Sequence, residues 1–430
     1  MLIASRREHF SEVGKLAAIA FTGHGVIFLI NLILARNLSV DEYENYVVAV
    51  AIFLLILAIT SQGLDKYAIR MMPAKFARQH HGHAAHYFVF SITRLIIGSI
   101  VVAALTLLWA TELREYSPDA MKAIHYGLFA LPLGALTYYL CAVISATGDC
   151  VRAAAVTYLV VPTLTLVCIG VALLTTSQKS GALGILCWLI AWCFGLMLAI
   201  YWLKKAWPSR PAARPPEKID FSWQRDVSPF WFYRLSMGII AQIVIILLDW
   251  LQPSSAATGA YAAALSTAGL AAVLAAATNR VYAREMSIIL ETGDHAALQR
   301  LRIQRLQWML PALGLFLVIA LTFTEEILGL FHPDFVTEGT PAFRILAITT
   351  SATVIMGVAP IYLKHQKQNR IIFPALALAA LLQALLLLIM VPRLGATGAA
   401  VAYMISMLGL YGYFSVASHR QVRAAEAARN

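Results

Sequence analysis

Long apolar runs separated by short polar breaks organise this chain. Twelve runs stand out: Val13–Ala35, Tyr43–Leu64, Tyr87–Ala110, Ala123–Ala146, Ala153–Thr176, Ala182–Leu203, Pro229–Leu251, Gly259–Val281, Trp308–Leu330, Pro341–Leu363, Ile371–Val391 and Thr397–Ala417. Each holds about 20–24 residues, enough to cross the hydrocarbon core as a helix. A membrane barrel would show alternating segments of about ten residues, and none occur. The pattern predicts an all-α membrane protein of about twelve transmembrane helices.

The widest breaks carry organisation. Residues 204–228 (KKAWPSRPAARPPEKIDFSWQRDVS) contain three proline clusters, which exclude a continuous helix and favour an extended linker. The expected domains are therefore 1–205, a six-helix bundle; 206–228, the linker; and 229–430, a second six-helix bundle. Residues 282–307 have helical spacing and basic side chains, as a connector lying at the headgroups would. The halves also resemble each other. NYVVAVAI matches AYAAALST, setting Tyr46 against Tyr261 at an offset of 215. GALGILCWLIA matches GATGAAVAYMI, setting Gly181 against Gly395 at an offset of 214. Six spans per half give the halves one orientation, which predicts a pseudo-twofold axis along the membrane normal.

Composition agrees with the pattern: 60% of residues are hydrophobic and 13% charged. Soluble domains run nearer 45–50% apolar and about 25% charged, so a soluble enzyme is excluded. The net charge of +11 does not imply nucleic acid. In the twelve-span topology 24 Lys and Arg fall on the side holding both termini and 5 on the other. That asymmetry predicts cytoplasmic termini. Trp109, Trp202, Trp231, Trp250 and Trp308 lie near expected interfaces. The first run follows Arg6 and Arg7 without a small-residue cleavage site and reads as a retained span. Cys141, Cys150, Cys168, Cys187 and Cys193 form no CxxC pair, so neither a disulfide frame nor a zinc site is expected.

Catalytic signatures are absent from the sequence. It contains no G-x-x-x-x-G-K-[ST], no H-E-x-x-H and no G-x-S-x-G. No enzyme activity, cofactor or metal is expected. The cluster His80, His81, His83 and His86 reads as a solvated loop, and Asn37-Leu38-Ser39 is a glycosylation sequon by pattern only.

Polar residues within spans are the informative ones, because they are costly there. His24 and Asn31 in span one, and Gln242 and Asp249 in span seven, form pairs seven apart, on one helical face. Each pair serves either a translocation pathway or helix–helix hydrogen bonding. Asp249 is a candidate for ion coupling, unless solvated beside Trp250 and Pro253. Arg94, Arg234 and Arg344 fall in or at the margins of spans, and Arg36 closes span one. Arg234 and Arg344 are also close enough to span ends to snorkel. Otherwise the arginines form a cationic cavity, since a planar guanidinium binds phosphate bidentately. Pro132, Pro162 and Pro360 bend their spans.

The run from Asn31 to Tyr46 (NLILARNLSVDEYENY) is similar to the A-R-x-L-G/S-x-x-E-[FY]-G-x-Y signature of Wzx-type polysaccharide flippases. These belong to the multidrug/oligosaccharidyl-lipid/polysaccharide exporter superfamily. The run Gln62 to Asp65, Asp249, and P-x-x-G-x-x-G-A-A-x-A from Pro392 to Ala402 agree; Glu44 departs, where the family has glycine. The resemblance implies two facing six-helix bundles in a bacterial inner membrane. It also implies flipping of an undecaprenyl-pyrophosphate-linked oligosaccharide to the periplasmic leaflet by ion-driven alternating access. Expected substrate-binding residues are Arg94, Arg234, Arg344, Arg36, Asn31 and His24; expected ion-coupling residues are Asp249, Gln242 and Asp65. Partners would be the lipid-linked oligosaccharide, membrane lipids and polysaccharide polymerase machinery. A multidrug or small-molecule exporter of the same superfamily is the alternative, though such exporters favour acidic cavities. A polysaccharide polymerase or ligase fits less well, because the outer loops are short.

Overall fold

The computed structural model describes residues 6–77, 80–114, 116–207, 226–252, 254–273, 289, 295–366 and 368–427. Among these, all regular structure is helical. In chain order the helices are α1 (Arg6–Asn37), α2 (Val40–Thr60), α3 (Leu64–Ala77), α4 (His81–Leu108), α5 (Pro118–Ala146), α6 (Cys150–Ala155), α7 (Val161–Thr175) and α8 (Gly181–Ala206). Then follow α9 (Ser228–Leu251), α10 (Ser255–Ala268), α11 (His295–Thr322), α12 (Thr324–Phe331), α13 (Phe335–Met356), α14 (Val358–His365) and α15 (Asn369–Ala427).

Ten of the described helical stretches are long and apolar enough to cross a membrane, and α13 with α14 forms a further span bent by 42°. The 59-residue α15 is far too long for one crossing at 1.5 Å per residue. It breaks at Gly395 (φ 52°, ψ −131°) and so supplies the last two spans. Each of the twelve apolar runs thus falls on helical chain, the eighth as far as Val273, with the ninth crossing the break between α11 and α12 and the tenth that between α13 and α14. Residues 282–288 and 290–294 of the 282–307 connector, and all of 208–225, lie outside the described residues; from His295 onward the connector belongs to α11.

Two compact units form, and they do not follow the sequence halves. One comprises residues 37–242, the other residues 1–36 with 243–430. Helix α1 therefore packs with the later part of the chain, as its Phe28 does edge-on to Phe331 of α12, with ring centroids 5.5 Å apart. Helix α9 starts in the first unit and ends in the second.

In the 37–242 unit, α5 is the central post, packed against α8, α2, α3 and α4. It starts cleanly: Ser117 accepts from the Ala120 amide, and Pro118 and Asp119 suit the first turn. Its small residues allow close approach; a Cβ at Gly134 would lie 2.8 Å from Phe53 Cζ. In the other unit α13 packs against α15 and α10. The outward faces are apolar, with Val89, Ile100, Leu105, Leu174, Leu315 and Leu378 all exposed, as a lipid-facing surface requires.

The internal repeat has a structural counterpart within each unit. Gly181 sits against α2, where a Cβ would overlap the Glu42 carbonyl oxygen and lie 2.9 Å from the Tyr46 amide. Glu42 Oε2 accepts from the Gly181 amide at 2.6 Å, and Ser39 caps α2 through the Glu42 amide. In the other unit Gly395 lies against Ala257, 215 residues after Glu42. The flippase-like signature around residues 35–46 thus has a structural use: it caps α2 and seats the start of α8.

Candidate substrate and coupling site

Several polar contacts converge on the turn between α2 and α3. Helix α2 ends at Thr60, and the chain reverses through Gln62 (φ 46°) and Gly63 (φ 72°), closed by the Leu64 amide donating to Ser61 O at 2.9 Å. Gly63 is required twice over. Its φ is left-handed, and a Cβ would press on the Trp231 amide and lie 2.8 Å from the Phe230 carbonyl carbon. Gln62 holds the same hand of φ with a side chain, a strained state that its neighbours must maintain.

The first turns of α9 are fastened to this turn. Trp231 Nε1 donates to Ile59 O at 3.1 Å, and Tyr67 OH donates to Asp226 Oδ2 at 3.4 Å. Phe230 stands edge-on to Tyr67, with Arg70 above its ring at 5.8 Å. Tyr87 OH donates to Leu64 O at 2.8 Å. Arg234 Nη1 donates to Asp65 Oδ2. The same oxygen lies 3.9 Å from Lys66 Nζ.

Asp65 is only 5% exposed, and its Oδ1 accepts no hydrogen bond among the described residues. Arg234 also lies over the Tyr138 ring at 5.8 Å, beside an aromatic group of Trp192, Trp188 and Phe53. Arg94 reaches the same turn from α4: its Nε donates to Gln62 Oε1 at 3.1 Å, and its guanidinium lies 5.5 Å from the Phe90 ring. Two of the three intraspan arginines therefore meet one five-residue segment, Ser61–Asp65.

The remaining expected residues lie elsewhere. Arg344 is in the other unit, exposed on α13, with Nε donating to Thr324 Oγ1 at 3.4 Å. His24 Nδ1 lies 2.7 Å from Ala20 O, and Asn31 Nδ2 donates to Ile27 O at 2.9 Å. Both side chains thus return a bond to their own helix. Arg36 is exposed at the end of α1. Gln242 is half-buried and closes one unit; Asp249 is 9% exposed in the other, too buried for a solvated helix end. Among the described residues no three His, Cys, Asp or Glu side chains gather as metal ligands would.

Sequence reasoning missed Arg305. It read as part of a connector at the headgroups, yet it is 1% exposed. Its Nη2 donates to Val354 O at 3.0 Å and its Nη1 to Ile355 O at 3.2 Å. These are end carbonyls of α13, where the span bends at Gly357; Val354 O also accepts the Gly357 amide at 3.3 Å. Gly357 followed by Pro360 signals that break, and a break inside a span demands a donor.

Comparison with solved structures places this architecture. An inward-facing multidrug resistance MATE family transporter of the MOP superfamily matches with a TM-score of 0.74 at 13% identity, over 95% of this chain and 96% of that one. The chain has the MATE fold. An outward-facing structure described in the same terms gives 0.69 at 13% identity, over 97% and 96%. A mutant of the Vibrio cholerae MATE transporter VcmN gives 0.67 at 15% identity, over 96% and 98%. No protein-family model and no curated protein sequence matches the chain. The MATE fold confirms an all-helical membrane architecture and corrects nothing in the span count.

Proposed function

We propose that the protein is a secondary transporter that flips a lipid-(pyrophosphate-)linked oligosaccharide from the cytoplasmic to the periplasmic leaflet by alternating access. In this reading it serves surface polysaccharide biosynthesis in a bacterial inner membrane, with both termini cytoplasmic and a polymerase system consuming its product. The observation that carries the reading is the convergence of Arg94 and Arg234 on the Ser61–Asp65 turn, beside Tyr138, Trp188, Trp192 and Phe53. Guanidinium forks suit a diphosphate, and the part-exposed rings of Tyr138 and Trp188 suit a sugar, while Phe53 and Trp192 are buried. In this reading Arg344, Arg36, Asn31 and His24 are further candidates for contact with the substrate, and Asp249, Gln242 and Asp65 are the candidates for ion coupling. The MATE fold supports transport by alternation, since that fold is known in inward- and outward-facing structures.

The second reading is a multidrug or small-molecule exporter, favoured by the multidrug resistance transporters that share the fold. One relative in fold, from Pyrococcus furiosus, is described as a MOP superfamily transporter whose reversed binding-pocket polarity suggests a different function. It matches with a TM-score of 0.67 at 14% identity, over 96% of each chain. The basic cluster here is a reason to expect a site suited to anions in this chain. Binding to the purified protein in nanodiscs separates the readings. The flippase reading expects a polyprenyl-pyrophosphate oligosaccharide to bind and a hydrophobic dye cation not to; the opposite preference would establish the exporter.

A further inference from the structure

Asp65 and Arg234 make a strangely incomplete pair. Arginine–carboxylate bridges frequently use two nitrogens of the fork and both carboxylate oxygens. Here one nitrogen, Nη1, meets one oxygen, Oδ2. Asp65 Oδ1 is buried without a donor, and the other Arg234 donors meet no acceptor among the described residues. The carboxylate is 7% exposed and the guanidinium side chain 20%, so Arg234 is the partner that a ligand can reach. A buried acceptor left unmade and a fork left half empty both cost free energy, and a better-fitting partner recovers part of it.

The local charge favours such a partner. Lys66, Arg70, Arg94 and Arg234 stand around the turn, against Asp65 and Asp226. Arg94 is exposed, and among the described residues its guanidinium bonds the neutral Gln62 amide and lies over the Phe90 ring, with no ion-pair partner. Tyr67, Tyr87 and Tyr138 contribute hydroxyls and rings but no opposing charge at this point.

From this geometry, and resting on the anionic-substrate reading above, we propose that Asp65 is an internal counter-ion that a diphosphate displaces from Arg234. Two oxygens of the diphosphate fill the fork, Arg94 supplies the second cation, and Asp65 turns to Lys66. Arg234 is also one of the ties holding α9 to the α2–α3 turn, alongside Trp231–Ile59 and Tyr67–Asp226. Exchange of its partner therefore loosens the first turns of α9 when substrate is bound and restores them when it leaves.

The test is calorimetric binding to the full-length protein in nanodiscs, with two probes: inorganic pyrophosphate and a polyprenyl pyrophosphate. Asp65→Asn removes the competitor and should tighten binding of the relevant probe roughly tenfold to hundredfold, the worth of one charge-assisted bond. Asp65→Asn/Arg234→Gln should bind more weakly than wild type. Tightening with both probes identifies the diphosphate as the recognised group, and tightening with the polyprenyl probe alone identifies the lipid-borne form. Unchanged affinity in Asp65→Asn, with wild-type binding lost in Arg94→Gln, would overturn the counter-ion role and leave the anionic reading standing. No binding of either probe to any form would overturn both. Hydrogen exchange on the wild type keeps the proposal testable if Asp65→Asn does not fold: the polyprenyl probe should speed exchange of amides 228–234, and slowed or unchanged exchange would refute it.

Discussion

Gly63→Ala is the sharpest perturbation of the α2–α3 turn. The new Cβ would sit at φ 72°, a left-handed state that costs an L residue about 1–2 kcal/mol. It would also overlap the Trp231 amide and lie 2.8 Å from the Phe230 carbonyl carbon, backbone that cannot swing aside as a side chain does. Overpacking of that kind costs about 1–3 kcal/mol. The sum, about 2–5 kcal/mol, is a large share of a typical stability of about 5–15 kcal/mol. Gln62→Gly is the matched control, because Gln62 also has a positive φ. It relieves about 1 kcal/mol of strain and returns part of that as unfolded-chain entropy. Equilibrium unfolding in mixed detergent micelles, followed by tryptophan emission, reads both. Gly63→Ala should lose stability while Gln62→Gly stays within about 1 kcal/mol of wild type. A Gly63→Ala protein within about 0.5 kcal/mol of wild type would refute the close docking of α9 on this turn.

Three further outcomes follow from other contacts. Arg305→Met should destabilise by about 1–3 kcal/mol, because it strips a donor from Ile355 O and leaves Val354 O with the Gly357 amide alone; an unchanged unfolding midpoint would show that the carbonyls find other partners. Gly181→Ala should cost about 2–3 kcal/mol by pushing α8 off α2, whereas Gly395→Ala, whose Cβ meets nothing nearer than 3.7 Å, should cost about 1–2 kcal/mol from its φ alone; equal losses in the two variants, by the same unfolding assay, would contradict the geometry. Asp249→Asn, reconstituted in vesicles with an imposed ion gradient, should keep substrate binding and lose gradient-dependent translocation; full retention of that dependence would remove Asp249 from the coupling site.

The span pattern was largely legible because hydrocarbon leaves little choice: a run of some twenty apolar residues must be helical there. Even the repeat was visible: Gly181 packs a bare backbone on α2, and Gly395 lies near Ala257 at the start of α10, though more loosely. Packing partners were not legible. A proline-rich linker marks where the chain is extended, not which helices share a core, and so α1 and α9 cross the expected boundary. Site geometry was only partly readable. Arg94 and Arg234 stand out as charges in apolar runs, but nothing in their spacing reveals that Gln62 and Asp65, three residues apart, receive one each. His24 and Asn31 stand out equally and prove to bond to their own helix. Arg305 was hidden by neighbours that make its segment look like a solvated basic face, while its guanidinium actually serves a broken helix far along the chain.

Translocation in reconstituted vesicles tests the central claim most directly. A polyprenyl-pyrophosphate oligosaccharide with a fluorescent sugar, loaded in both leaflets, is quenched by a membrane-impermeant reductant added outside. Wild-type protein should expose nearly all of the probe to quenching as molecules cross from the inner leaflet. Arg94→Ala, incorporated to the same level, should leave the inner half protected, and Arg94→Lys should fall between because lysine lacks the planar fork. Equal quenching by Arg94→Ala and wild type, or protection of the inner leaflet by the wild type itself, would contradict the account.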